Sequence, residues 1–113
     1  MNQLVFSKIF EEDLDSCYSY IKDKLEAPMA AENLMNELYY KLNYIKENPN
    51  SRLFVHDKYL SLLGIRSINV KNYTVFYNIE DNGDVKNVNL ITFMYSKRDW
   101  KNIIKAMKIK KKI

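Results

Sequence analysis

The chain has little of what specialised chemistry needs. Among its 113 residues are two glycines, two prolines, one cysteine, one histidine and one tryptophan. With only Gly64 and Gly83, a glycine-rich phosphate cradle has nothing to build from. Cys17 has no partner for an internal disulfide, which points to a reducing compartment. Neither Cys17 nor the lone His56 belongs to a metal-ligand spacing, so neither a metal nor a cofactor is expected. The apolar run in MNQLVFSKIFEED is too short for a signal or a membrane segment. A cytoplasmic protein without membrane contact is expected.

A chain of this length suits one domain, expected over residues 1–107 and followed by a basic tail at 108–113. It can bury roughly two-thirds of its unfolded surface without disulfides. The net charge of +4 conceals a division. Residues 97–113 hold eight of the 18 basic side chains and only one acid, Asp99, so that segment carries +7 and the rest −3. Such asymmetry suggests an acidic or polyanionic partner near the C-terminal end. A solvated run of like charges is the plain alternative for 108–113.

Residues 8–48 contain one proline and no glycine. Phe6, Phe10, Leu14, Cys17, Ile21 and Leu25 recur at spacings of three and four, as one apolar face of a helix does. A second stripe follows with Ala31, Leu34, Leu38, Leu42 and Ile45, widened by Met35 and Tyr39. Glu26-Ala27-Pro28 separates the two, since proline disfavours helix before it but suits the first turn after it. Asn48-Pro49-Asn50-Ser51 ends the second. The two helices form an αα-hairpin whose shared stripe must cover a sheet. Residues 49–63 read as a connector that packs partly on the core through Leu53, Phe54, Tyr59, Leu60, Leu62 and Leu63, with His56 a solvated loop residue.

The stretch from Gly64 to Trp100 reads as three antiparallel strands. Ile65 to Val70 is the first. Tyr73, Val75, Tyr77 and Ile79 alternate with Thr74, Asn78 and Glu80 along the second, and Asp81-Asn82-Gly83-Asp84 is a tight-turn sequence. In the third, Val88, Leu90, Thr92 and Met94 alternate with Asn87, Asn89, Ile91 and Phe93. Gln3–Phe6 suits one more strand at an edge. The order β-α-α-β-β-β gives an α+β fold: an N-terminal strand, an αα-hairpin on a small antiparallel sheet with a three-strand meander, and a short C-terminal helix. Ser96-x-x-Asp99 before Trp100, Ile103, Ile104 and Met107 is a capping pattern for that last helix and puts Lys97 and Arg98 in its first turn. Arg66 is expected to present its fork on the concave face of the sheet, suited to a carboxylate or phosphate, with an intramolecular salt bridge as the plain alternative.

Three features occur in order: Ala-Pro-x-Ala-Ala at 27–31, the Gly-Ile-Arg…Asn-Tyr-Thr-Val-Phe-Tyr segment, and the closing Tyr-Ser-Lys-Arg-Asp-Trp at 95–100. Over residues 3–105 the combination resembles the RelE/ParE superfamily of bacterial type II toxin–antitoxin modules, also called plasmid stabilisation proteins. RelE-like members are ribosome-dependent messenger-RNA endonucleases. The strand arginine they commonly use falls at Thr74 here, and their late tyrosine or histidine falls at Ile103 and Ile104. The Ser-Lys-Arg-Asp-Trp ending is similar instead to ParE-like members, which inhibit DNA gyrase by binding and hydrolyse nothing themselves.

The resemblance thus implies a growth-inhibiting toxin neutralised by a cognate antitoxin, touching DNA only through that antitoxin. Arg66, Tyr95, Lys97, Arg98, Trp100 and Lys101 are the expected target-binding residues. The alternative is a metal-independent endoribonuclease acting on ribosome-bound mRNA, with Arg66, Lys71 and Arg98 in rearranged catalytic roles. A degenerate, non-toxic member is a third possibility.

Overall fold

A computed structural model describes residues 2–107, and the tail expected at 108–113 lies outside the described residues. The chain opens with β1 (Gln3–Phe6) and turns directly into α1 (Lys8–Ser19). Ser7 makes the turn: its hydroxyl accepts the Phe10 N–H at 3.0 Å, capping the helix. After Ser19 the helix widens into a π-turn (Tyr20–Lys24). The wider turn still buries Ile21 but leaves Leu25 exposed, so the expected stripe ends one step early. Phe6 is exposed too, at the end of the edge strand.

Glu26 takes a positive φ of 50°, and Pro28 then opens α2 (Pro28–Glu47). The predicted stripe of α2 holds: Ala31, Leu34, Leu38, Leu42 and Ile45 are all buried. Met35 packs at its margin, whereas Tyr39 points to solvent. A 3₁₀ turn (Pro49–Ser51) and the short α3 (Lys58–Leu62) interrupt the connector. Its apolar residues divide, with Val55, Leu60 and Leu63 buried and Leu53, Phe54, Tyr59 and Leu62 exposed.

The meander follows as β2 (Arg66–Val70), β3 (Tyr73–Asn82) and β4 (Val85–Tyr95), and α4 (Trp100–Ala106) ends the described chain. Gly83, with φ 81°, opens the two-residue loop between the paired Asn82 and Val85, where a mirror-type hairpin turn needs it. The sheet order is β1-β4-β3-β2. β1 is an edge strand as expected, but it runs parallel to β4, pairing Gln3 with Asn87 and Phe6 with Leu90. The sheet is therefore mixed.

A β-bulge at Ile91 overturns the simple alternation expected for β4. Tyr77 pairs with Leu90 and Phe76 with Thr92, which leaves Ile91 without a partner. Val88, Leu90 and Phe93 consequently join the core under the helices, and Met94 faces away from them. The bulge is held from the first helix. Ser7 Oγ donates to the Ile91 carbonyl at 2.9 Å. Asp13 Oδ2 accepts from Thr92 Oγ1 at 2.6 Å and from the Phe93 N–H at 3.1 Å. Where β1 has ended, the Asp13 carboxylate satisfies an edge donor that would otherwise lack a strand partner.

Two cores result. The larger lies between the helical hairpin and the sheet, and the smaller joins α3 and α4 to Phe76 and Met94 on the opposite face.

Candidate functional site

The expected capping of α4 does not form as the Ser-x-x-Asp pattern suggests. Ser96 Oγ lies 2.7 Å from Thr74 Oγ1, which also donates to Asn69 Oδ1 at 3.1 Å. The serine hydroxyl is thus drawn into the sheet. Asp99 stands at the N-cap position without a side-chain bond to the helix backbone, and accepts instead from Asn102 Nδ2 at 2.8 Å. Because α4 starts at Trp100, Lys97 and Arg98 lie in the turn before it rather than in its first turn.

That turn forms one end of the sheet. The Arg98 N–H donates to the Tyr95 carbonyl at 3.0 Å, and the Ser96 N–H to the Asn72 carbonyl at 2.9 Å. The second bond ties the Lys71–Asn72 hairpin loop to the same end. Lys71, at φ 54°, Lys97 and Arg98 are all exposed there. Tyr95 is half-exposed, its ring edge-on to Tyr73 at 5.8 Å.

Arg66 lies elsewhere. It starts β2 and pairs with Tyr77, whereas Val70, at the other end, pairs with Tyr73 beside Tyr95. Four residue steps of about 3.3 Å put it about 13 Å along the strand from Val70. It shares the parity of Ile68 and Val70, which face the helical hairpin. Its guanidinium stacks 4.2 Å from the Phe54 ring centroid and donates to the Arg52 carbonyl. Arg66 is a clasp on the connector, so Arg66, Lys71 and Arg98 do not converge on one point.

Trp100 does a different job from its neighbours. Its ring stacks on Phe76 at 5.2 Å, with Lys101 Nζ 5.5 Å from its centroid. It also lines a shallow cleft of about 380 Å³ with Arg52, Leu53, Phe54, Val55, His56, Ser51 and Ser67. The connector wall is fixed by the Val55 N–H, which donates to the Ile65 carbonyl at 3.0 Å. Arg52, His56 and Ser67 were not singled out by sequence as site residues. They converge only because residues 51–56 fold back along β2. The one local signal was Asp57, whose carboxylate caps α3 through the Leu60 N–H at 3.0 Å.

Asp57 also receives Lys105 Nζ at 3.0 Å, pinning α4 to the connector. The Leu60 N–H, followed by Lys105, holds the Asp57 carboxyl below the usual carboxylate range. Thr74 is buried and fully engaged, and Ile104 is buried in the smaller core. Two of the positions that the resemblance to RelE-like members singled out, Thr74 and Ile104, are thus taken up by contacts within the fold, and Ile103 is partly buried beside them. On the other face Cys17 packs at the edge of the core, where burial pushes its thiol up and disfavours the thiolate.

A helical hairpin on one face of a small mixed sheet, with a short C-terminal helix on the other, makes this an α+β domain. A sequence profile for the ParE toxin of the type II toxin-antitoxin system, parDE, matches residues 4–100. The chain belongs to that family. Among solved structures it is similar to the chromosomal ParDE TA system from P. aeruginosa, with a TM-score of 0.64 at 13% identity, over 86% of this chain and 98% of that one. It is also similar to the YoeB/ParE toxin from Agrobacterium tumefaciens, with a TM-score of 0.57 at 11% identity, over 82% and 97% of the two chains. A search of curated proteins returned no significant sequence match. Among the described residues no helix is long and apolar enough to cross a membrane.

Proposed function

We propose that this chain is the toxin of a type II module, restrained by a cognate antitoxin, and that it disables a DNA gyrase-type target by binding it. The observation that carries this reading is the family match combined with Thr74. A buried threonine, bonded to Ser96 and Asn69, occupies the place where a ribonuclease of the superfamily would carry a phosphate-binding arginine. A threonine hydroxyl cannot neutralise a scissile phosphate as a guanidinium does.

Target contact falls to Tyr95, Lys97, Arg98, Trp100 and Lys101, at the end of β4 and the start of α4. Arg66 contributes by holding the connector rather than by reaching the target. The antitoxin is assigned to the helical hairpin, where Met29 (77% exposed), Tyr39, Tyr40 (69% exposed) and Tyr44 lie open on α2. Tyrosine-rich exposed surface of this kind is common at protein interfaces.

The test is induced expression in bacteria beside an assay of purified gyrase. The reading requires growth arrest with DNA breaks and filamentation, inhibition of supercoiling in the purified assay, and rescue by the antitoxin. Arg98→Ala should weaken toxicity. Cleavage of messenger RNA in the ribosomal A site would replace this reading with the endoribonuclease, and unaffected growth would replace it with a non-toxic member.

A further inference from the structure

The meander is electrically divided along its length. Between Ile68 and Arg98 the only acids are Glu80, Asp81 and Asp84, and all three sit at the β3–β4 hairpin. Eight residue steps of about 3.3 Å put Asp81 about 26 Å along β3 from Tyr73. The opposite end carries Lys71, Lys97 and Arg98, all exposed. Among the described residues none of these three side chains has a hydrogen-bond or ion-pair partner. The next acid in the chain, Asp99, already accepts from Asn102 Nδ2 at 2.8 Å. On the π-turn Asp23 is flanked by Lys22 and Lys24.

The cations are carried on a tied piece of backbone. Lys71 and Asn72 form a two-residue loop between the paired Val70 and Tyr73, and the Asn72 carbonyl accepts the Ser96 N–H at 2.9 Å. Ser96 Oγ lies 2.7 Å from Thr74 Oγ1, and the Arg98 N–H closes the turn on the Tyr95 carbonyl at 3.0 Å. Lys71 holds φ 54°, where glycine or asparagine meets less steric cost. Backbone preference does not account for a lysine there. Flat aromatic surface lies beside the charges. Tyr20 and Tyr95 are both exposed, and both act on the Tyr73 hydroxyl from nearby. Tyr73 is backed in turn by Phe93, stacked at 5.1 Å.

We propose that this end of the sheet holds a DNA strand directly, with phosphates on Lys71, Lys97 and Arg98 and a base against the Tyr95 ring. This deepens the binding-toxin reading and rests on it, because a gyrase-type target carries DNA. It replaces the expectation that the chain meets DNA only through its antitoxin. Charge complementarity selects a polyanion, since three neighbouring cations without an acid between them repel one another and gain from a run of anions. Stacking selects a nucleic acid over an acidic polypeptide. Every base has a face that a tyrosine ring can cover, whereas a run of carboxylates has none.

The full chain is titrated into a fluorescein-labelled single-stranded DNA dodecamer and followed by anisotropy, beside an RNA of the same sequence and polyglutamate. Saturable binding of DNA that weakens as salt rises is expected. Lys71→Glu should weaken it by about tenfold or more. Lys71→Gly, which suits the positive φ, should weaken it too and lower the slope of log K against log salt by about 0.7. Because that variant should keep or raise the melting temperature, its loss of binding is not a loss of fold. Tyr95→Ala should cost about fivefold or more. Lys86→Glu makes the same charge change at the far hairpin, beyond the screening length of about 8 Å, and should leave binding within about twofold.

No saturable binding of DNA, or equal binding by wild type and Lys71→Glu, overturns the proposal. Polyglutamate bound as tightly as DNA makes this end an acidic-protein surface and overturns it. RNA bound about tenfold tighter than DNA points to a messenger and also overturns it. The two readings fail separately. A chain that binds the DNA strand but never captures purified gyrase sinks the gyrase target and keeps the DNA surface. A chain that captures gyrase but binds no DNA strand sinks the surface and keeps the target.

Discussion

The two faces of the sheet are covered unequally. Under the hairpin, fifteen buried residues from α1, the π-turn, α2 and all three meander strands form one core. On the opposite face seven do so, and their cover consists of a five-residue helix and a seven-residue one. Burial of a large apolar side chain contributes roughly 1.5–3 kcal/mol, so the hairpin face carries most of the fold's stability. The other face holds the basic turn, Trp100 and the cleft. A thinly covered face suits a contact surface, because its elements can adjust without unfolding the domain.

Truncations across the two faces should separate these roles. Leu38→Ala, at a fully buried position of α2, should cost about 2–5 kcal/mol and lower the midpoint of denaturant unfolding for the whole chain. Ile104→Ala, equally buried but on the terminal helix, should cost less globally. Its main effect should be faster amide hydrogen exchange confined to α4. Equal global losses from the two changes would erase the distinction between the faces.

Extremes of pH should strain the faces in opposite directions. Burial pushes Tyr77 under the hairpin up to about 12, while its hydroxyl donates to the Pro49 carbonyl at 3.4 Å. An unfolded tyrosine titrates near pH 10. The raised value means that its contribution is complete below pH 10 and is lost as pH climbs toward 12. Alkaline unfolding in that window should therefore be blunted in Tyr77→Phe. Asp57 works the other way. Its lowered pKa gives a contribution present above the ordinary carboxylate value of about 4 and lost as pH falls through the folded value. The melting-temperature gap between wild type and Asp57→Asn should close below pH 4, and it should narrow at high salt because the Lys105 partner is exposed.

The smallest expected effect lies at the hinge of the hairpin. Glu26 sits at φ 50°, a conformation that glycine adopts without a Cβ clash. Glu26→Gly should stabilise the chain by up to about 1 kcal/mol, read as a higher melting temperature. A loss instead would mean that the entropy glycine gives up on folding outweighs the relief of the positive φ.

The elements were legible because their causes are local. Ala31, Leu34, Leu38, Leu42 and Ile45 mark one helix face through spacing alone, and Gly83 marks its hairpin through backbone freedom. The proposed target surface rests on a contiguous run, Tyr95, Lys97, Arg98, Trp100 and Lys101, whereas Arg66, expected with them, lies at the far end of β2. Arg52, His56 and Ser67 were not legible, because nothing in a sixteen-residue stretch of connector and strand announces that its ends share a cleft with position 100.

By itself, then, the sequence determined the order of helices and strands, the hairpin stripe of α2, the turns and the charge division, all set by neighbours within a few positions. Tertiary structure decided the rest. It set β1 parallel to β4 across some eighty residues, and it turned Phe93 toward the helices through the bulge at Ile91. It diverted Ser96 from its cap to Thr74, and it placed Arg66 far from Arg98. Each depends on a hydrogen bond or packing contact between residues distant in the chain. Such contacts form only when the whole sheet closes, so no short-range pattern encodes them.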